Sequence, residues 1–316
     1  MGRKNYFRLL AMSIAVAALP LLVRGDYYLS ILVFMGLNSL VVMGLSLLMG
    51  YAGQISLGHA AFYGIGAYCT GVLSAHFSFS IYLSFLGGIL LSIMVAIIIG
   101  IPALRLKGHY LAVATLGIGE IVFIIFNEWM ELTGGPSGLS NIPGFHLGPF
   151  QFNSSLRFYY LVWCINLLAL FFSLNVIHSR VGRALRSMHG SETAASAMGV
   201  NLSLMKIQVF VLSAVFASVA GSLYAHFVSF ISPNNFGLMI SIMFLMMGVI
   251  GGIHNIWGAL LGASLLTFLP EYLRIFNQYD ILVYGAILLA ILLFMPEGIL
   301  EGTPLLIRKL FRPRKR

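Results

Sequence analysis

The sequence predicts an all-α polytopic membrane protein with about eight to ten transmembrane or re-entrant helices, and three observations carry that reading. Hydrophobic residues fill 59% of the 316 positions and charged ones only 9%, whereas soluble domains run near a quarter charged. Mean hydropathy is +0.97. Apolar stretches of bilayer-crossing length recur along the whole chain, so residues 1–316 read as one transmembrane domain without room for a soluble catalytic domain.

Candidate spans fall at about 9–23, 28–49, 55–76, 81–101, 109–127, 158–178, 206–229, 237–252, 256–270 and 280–296. The first follows Arg3, Lys4 and Arg8; no small-x-small cleavage site follows its apolar stretch, and Pro20, Arg24 and Asp26 lead straight into a second apolar span, so it reads as an uncleaved helix. The segment 55–76 is interrupted by Gly58, His59, Gly64, Gly66 and Gly71, and the pair 237–252 and 256–270 is short for two full crossings. Such segments can be broken or re-entrant, which at membrane depth requires cover by protein or a water-filled cavity. Cys69 and Cys164 lie in apolar stretches and read as buried small hydrophobes, not as a disulfide.

Charge placement orients the chain. Segments 1–8, 102–108, 179–206 and 297–316 hold 15 of the 18 Lys and Arg; Arg24, Arg157 and Arg274 lie on the opposite side. By the positive-inside rule both termini are cytoplasmic and the number of crossings is even. The basic run from Arg308 to Arg316 beside a last span anchors topology near anionic lipid, so no nucleic-acid partner is implied.

Missing motifs narrow the function class. The chain has no G-x-x-x-x-G-K-[ST] phosphate loop and no H-E-x-x-H metal helix, and its eight histidines are scattered. It also lacks tandem Arg at helical spacing and a carbonyl filter of the TVGYG type. A transporter subunit is the leading class, and an intramembrane enzyme ranks last because no nucleophile and base share a helical spacing.

The most informative segment is GRALRSMHGSETAASAMGVN, from Gly182 to Asn201, a polar, small-residue-rich helix on the cytoplasmic side. Ser191 caps it, Glu192 sits near the positive end of its dipole, and Gly199 ends it. Ala194, Ala195, Ala197 and Gly199 would form one small, flat face to which another protein could come close; the plainer reading is an amphipathic helix lying on the bilayer.

This segment is similar to the cytoplasmic loop of the LivM-type permeases of branched-chain amino-acid ATP-binding-cassette importers, R-A-x-R…E-x-A-A-x-x-M-G-[IV]-N, reading here from Arg183 to Arg186 and from Glu192 to Asn201. Against the generic importer motif E-A-A-x-x-x-G, Thr193 stands where Glu would be and the acid lies one residue earlier. Six further stretches resemble the family in order and spacing: Gly50 to Tyr68, Leu104 to Ile121, Thr133 to Gly144, Ile231 to Phe236, Gly248 to Leu266, and Met295 to Ile299. The resemblance implies a permease subunit that moves branched-chain or related aliphatic amino acids across the bacterial or archaeal cytoplasmic (inner) membrane. It implies two ATPase subunits docked on a coupling loop that includes Arg183, Arg186, Glu192, Ala194, Ala195 and Gly199. It also implies a second, related permease as heterodimer partner and an extracytoplasmic binding protein. ATP and Mg would sit on the partner subunits, with no cofactor on this chain. Related permeases serve urea and short amides as well.

Gln54, Ser56, Gly58, His59, Thr115 and Glu120 are the candidate translocation path, because neutral hydrogen-bonding groups can pass a zwitterion that a fixed charge would trap. The competing reading is close helix packing through Gly58, Gly64, Gly66 and Gly71, and likewise through the pairs Gly248–Gly252 and Gly258–Gly262. Glu120 is the acid well inside a span; it reads as a structural group capping backbone broken at Gly117 and Gly119, or, in a proton-coupled carrier acting alone, as the titrating group. The external segment 128–157, with Glu128 and Glu131, is either a connecting loop or a landing site for the binding protein.

Overall fold

The computed structural model describes residues 3–23, 25–148, 150–295, 298–300 and 302; Arg24 and the basic run from Arg308 lie outside them, as does part of the stretch Met295 to Ile299. The helices are α1 (Arg3–Leu22), α2 (Asp26–Leu45), α3 (His59–Ala75), α4 (Ile81–Ala103), α5 (His109–Glu128), α6 (Met130–Thr133), α7 (Ser155–His178), α8 (Arg180–Gly190), α9 (Glu192–Ala197), α10 (Leu202–Val228), α11 (Leu238–Gly251), α12 (Ile256–Leu273) and α13 (Asp280–Phe294). A two-residue strand pair, β1 (His146–Leu147) with β2 (Phe150–Gln151), closes an outer hairpin. The fold is all-α. Among the described residues eight helices are long and apolar enough to cross a membrane.

Helix ends follow local chemistry. Ser154 caps α7 by accepting from Arg157 N at 3.4 Å, Asn201 caps α10 by accepting from Leu204 N at 3.1 Å, and Asn255 caps α12 by accepting from Trp257 N at 3.1 Å. α2 does not stop at Leu45 but continues as a π-helix over Ser46–Tyr51. Its extra residue per turn opens a bulge next to the polar stretch that follows.

α3 is the axis of the bundle. All but three of its 17 residues are buried, and α2, α4, α10 and α11 surround it. The hydrophobic effect does little between helices that share a bilayer, so small residues that let backbones touch must supply the cohesion. A Cβ on Gly221 of α10 would lie 1.8 Å from Tyr63 O, and one on Gly66 would lie 2.2 Å from Ser218 O. Serines then bond the exposed carbonyls: Ser222 Oγ donates to Gly66 O at 3.1 Å and Ser218 Oγ to Gly88 O at 3.0 Å.

Several expectations are refined by this packing. Gly58, Gly64, Gly66 and Gly71 all face neighbouring elements at close range, so the stretch 55–76 is a buried helix after a short irregular entry, not a broken one. The pair 237–252 and 256–270 forms two candidate spans, because a 3-10 turn at Pro233 extends α11 outward and α12 runs on to Leu273. Gly258 and Gly262 bring α12 against α11, where they meet the backbone of Gly251, Gly252 and Met247; Gly248 meets only ordinary contacts at 3.6 Å or more. Cys164 is exposed on α7 and Cys69 half-buried, and both are free thiols, so the expected burial fails for Cys164.

The contacts sort the helix ends onto two faces. One face joins the α4–α5 turn to α9 through Lys107 and Glu192, the start of α1 to the end of α7 through Asn5 and His178, and the α11–α12 turn to the end of α2 through His254 and Gly50. The other joins the start of α2 to the end of α12, where Tyr27 donates to Glu271 and Arg274 donates to both. Arg105, Lys107, Arg180, Arg183, Arg186 and Lys206 gather at the first face, while Arg157 and Arg274 lie at the second.

Candidate functional site

Two neighbouring regions of the basic face contain all the candidate residues but Glu120: the helix pair α8–α9 and the irregular entry to α3. α8 is amphipathic, with Gly182, Leu185 and Met188 buried while Arg183 and Arg186 stand exposed. Arg186 reaches back to Ile177 O at 3.2 Å, near the C-terminal end of α7, where a cation complements the dipole. Ser191 Oγ accepts from Ala194 N at 3.3 Å and starts α9 as expected.

α9 ends in a left-handed turn. Gly199 has φ +82°, its N–H donates to Ser196 O at 2.9 Å, and Val200 N donates to Ala195 O at 3.1 Å. A Cβ at Gly199 would meet nothing within 4 Å, so only backbone conformation selects glycine there. Gly199→Ala is expected to weaken this stop by about 1 kcal/mol and to raise amide exchange across 196–200 without altering the rest of the bundle.

The flat face of small residues is split by the fold. Ala195 is 2% exposed and packs inward, whereas Ala194 and Ala197 face out beside Met198, which is 85% exposed. Helical geometry forces this, since positions three apart share a face and Glu192 and Ala195 together face the helix bundle. Glu192 Oε2 lies 2.9 Å from Lys107 Nζ, and Glu192 Oε1 lies 2.5 Å from Lys206 Nζ. Partial burial works against its charge, but the hydrogen bonds and charges of Lys206 and Lys107 outweigh this and hold its pKa below the usual value. The link is therefore complete above the ordinary carboxyl pKa of 4.5 and is lost only as pH falls through the lower folded value. Lys107 and Lys206 escaped sequence reasoning, which used them only as topology charges. A lysine in the second turn of a long span, needing an acid partner, was the available signal.

At the α3 entry, Ser56, Gly58, His59 and Thr115 come together. His59 Nδ1 lies 2.9 Å from Ser56 Oγ, so a hydroxyl and an imidazole three residues apart do meet, contrary to the expectation that none pair; its Nε2 lies 2.6 Å from Ser213 Oγ, and a neutral ring donates from one nitrogen and accepts at the other. Leu57 N donates to Thr115 Oγ1 at 3.0 Å, and Ala60 N donates to Ser241 Oγ at 3.0 Å, which satisfies an otherwise orphaned donor at the start of α3. Ser213 and Ser241, from α10 and α11, were not identified from sequence, because a lone serine in an apolar span carries little pattern.

Gln54 differs from its neighbours. It is 4% exposed, and neither its amide nitrogen nor its amide oxygen has a hydrogen-bond partner. Leu48, Leu104, Leu111, Thr115 and Phe210 surround it. Each unpaired buried group costs about 1–3 kcal/mol. α8 borders this entry: a Cβ on Gly53 would lie 3.0 Å from His189 Nδ1, and the His189 ring packs edge-on against His254 at 5.6 Å.

Glu120 stands apart from this cluster. α5 runs unbroken through Gly117 and Gly119, so there is no open backbone for it to cap, and the structural role expected of it is not found. It is half-buried and forms no hydrogen bond or ion pair with any described residue. On the opposite face the segment 128–157 is folded, not loose. Leu139 pairs with Ile231 at 2.8 and 3.0 Å, and His226 Nδ1 sits 2.7 Å from Pro143 O, while Glu131 remains exposed.

The family model for the permease component of branched-chain amino acid transport systems matches residues 27–292. The chain belongs to this family. The permease is similar to the LivM permease protein of the high-affinity branched-chain amino acid transport system of Salmonella typhimurium, at 33% identity over 237 residues, covering 68% of this chain and 56% of the relative. The Escherichia coli K12 LivM protein is 33% identical over 229 residues, covering 65% and 54%. The Salmonella typhimurium LivH permease protein is 31% identical over 199 residues, covering 59% and 62%. The permease thus aligns with little more than half the length of the two LivM relatives. No solved structure matches it.

Proposed function

We propose that the chain, as one transmembrane permease unit, is a membrane-spanning subunit of an ATP-binding-cassette importer for branched-chain or related aliphatic amino acids. Separate ATPase subunits, which hold ATP and Mg, dock on α8–α9; a second, related permease completes the path, and an extracytoplasmic binding protein delivers the solute to the face bearing Glu131. The basic face, with both termini, is cytoplasmic, and the membrane is the inner membrane. Hydrolysis is left to the partners, and this chain holds no cofactor.

The observation that carries the reading is the two-sided build of α9. Glu192 and Ala195 hold it to the permease, while Ala194, Ala197 and Met198 present a small apolar surface outward, and Arg183 and Arg186 stand exposed on the preceding α8. A groove on a partner fits a protruding Met between two methyl groups. Met198→Glu is expected to lower binding-protein-stimulated ATP hydrolysis of the reconstituted complex about fivefold or more with normal membrane insertion. Normal stimulation would remove α9 as the docking element. Ala195→Trp is unsuited to this test, because it would disrupt the inward packing first.

Gln54 supports a path at the α3 entry, since its free amide suits a zwitterion or water in another conformation. The solute class, including the urea or short-amide alternative, is decided by binding measurements on the co-purified receptor. The unpaired Glu120 is the one observation favouring a proton-coupled carrier. Uptake by this chain alone in ATP-free vesicles under a proton gradient would establish that reading.

A further inference from the structure

We propose that Glu192 is a positioning residue that joins the coupling helix to both helices holding the α3 entry, so that movement of α9 reaches Gln54 along two arms. The inference rests on ATPase docking at α9 and adds how that movement is passed on.

The first arm runs through α10. Glu192 Oε1 is 2.5 Å from Lys206 Nζ, and Lys206 is buried in the second turn of that helix. Seven residues further along, on the same side of α10, Ser213 Oγ is 2.6 Å from His59 Nε2. The second arm runs through α5. Glu192 Oε2 is 2.9 Å from Lys107 Nζ, in the turn that leads into α5, and Thr115 of α5 accepts from Leu57 N at 3.0 Å. Both arms end on the stretch 56–59, which begins two residues after Gln54.

The chemistry of the joint separates it from the other inward contact of α9. The Ala195 methyl group can transmit only a push, because apolar contact resists separation weakly inside an assembly. A carboxylate shared by two ammonium groups resists both approach and withdrawal, and parting it from Lys206 would leave a buried cation unpaired. An importer cycle requires α9 to move the membrane helices in both directions. Glu192 is the side chain of α9 that gives this two-way hold.

The test uses the whole complex in proteoliposomes and reads uptake and receptor-stimulated ATP hydrolysis together. Glu192→Gln is expected to keep the ATPase subunits bound while uptake per ATP falls about fivefold. Lys107→Met, at an exposed side chain that does little for folding, is expected to lower the same ratio about twofold. The exchange Glu192→Lys with Lys206→Glu restores the α10 arm alone and sets Lys107 beside a second lysine, so it is expected to recover the loss only in part. A normal uptake-to-ATP ratio in Glu192→Gln and Lys107→Met would overturn the proposal. So would loss of the ATPase subunits from Glu192→Gln, which would make Glu192 a docking residue. If Met198→Glu uncouples while Glu192→Gln does not, docking on α9 stands and the joint falls; if Met198→Glu leaves stimulation normal, docking itself falls.

Discussion

Gly221→Ala is expected to lower the stability of the folded protein by about 3 kcal/mol or more and to empty the membrane of stable protein. The added Cβ would lie 1.8 Å from Tyr63 O, 2.8 Å from Tyr63 C and 3.1 Å from Ala67 N. All three are backbone atoms of α3, so no side-chain rotation can relieve the clash and the helices must part. Parting them also strains Ser222 Oγ to Gly66 O, which seals the same interface, and Ser218 Oγ to Gly88 O, which ties α10 to the adjacent α4. Gly117→Ala is the matched control, since a Cβ there meets nothing within 4 Å; helix propensity alone should leave it neutral or stabilise it by up to about 1 kcal/mol. Thermal unfolding of the two detergent-solubilised variants, followed by size-exclusion fluorescence, checks the contrast. Equal midpoints would mean that α3 and α10 do not touch through their backbones.

Gln54→Leu is expected to separate stability from transport. Gln54 is surrounded mainly by apolar groups, with Thr115 among them, and both amide atoms lack partners, so a leucine of similar size should hold stability or raise it by about 1–3 kcal/mol at most. Uptake of labelled leucine by the reconstituted complex should nevertheless fall by about tenfold or more, the equivalent of one lost hydrogen bond to a charged group. Receptor-stimulated ATP hydrolysis should persist. Unchanged uptake would remove Gln54 from the path and leave its amide a structural cost without return.

Much of this was legible in the sequence, for reasons that differ between levels. The spans follow from hydropathy, and the caps at Ser191 and the stop at Gly199 follow from side chains whose local chemistry does not depend on the fold. The glycines around α3 were readable as packing positions because close approach needs them wherever they fall. Facing direction was not legible: Ala194 and Ala195 are chemically identical neighbours, and only the bundle decides that one is buried and the other exposed. Partners distant in sequence were equally hidden, as with Glu192 to Lys107 and His59 to Ser213. Glu120 misled because Gly117 and Gly119 suggested a break, yet two glycines cost a helix only about 2 kcal/mol, which its apolar neighbours in α5 offset.

The central position of α3 also makes time a variable in the protein's biogenesis. His59 leaves the ribosome 154 residues before Ser213, and Ala60 leaves 181 residues before Ser241. At ordinary elongation rates this is an interval of roughly ten to thirty seconds in which a short, glycine-rich helix waits among lipid with its polar groups unmatched. Its residence in the bilayer is then provisional, held by α2 and α4, until the later helices arrive to enclose it.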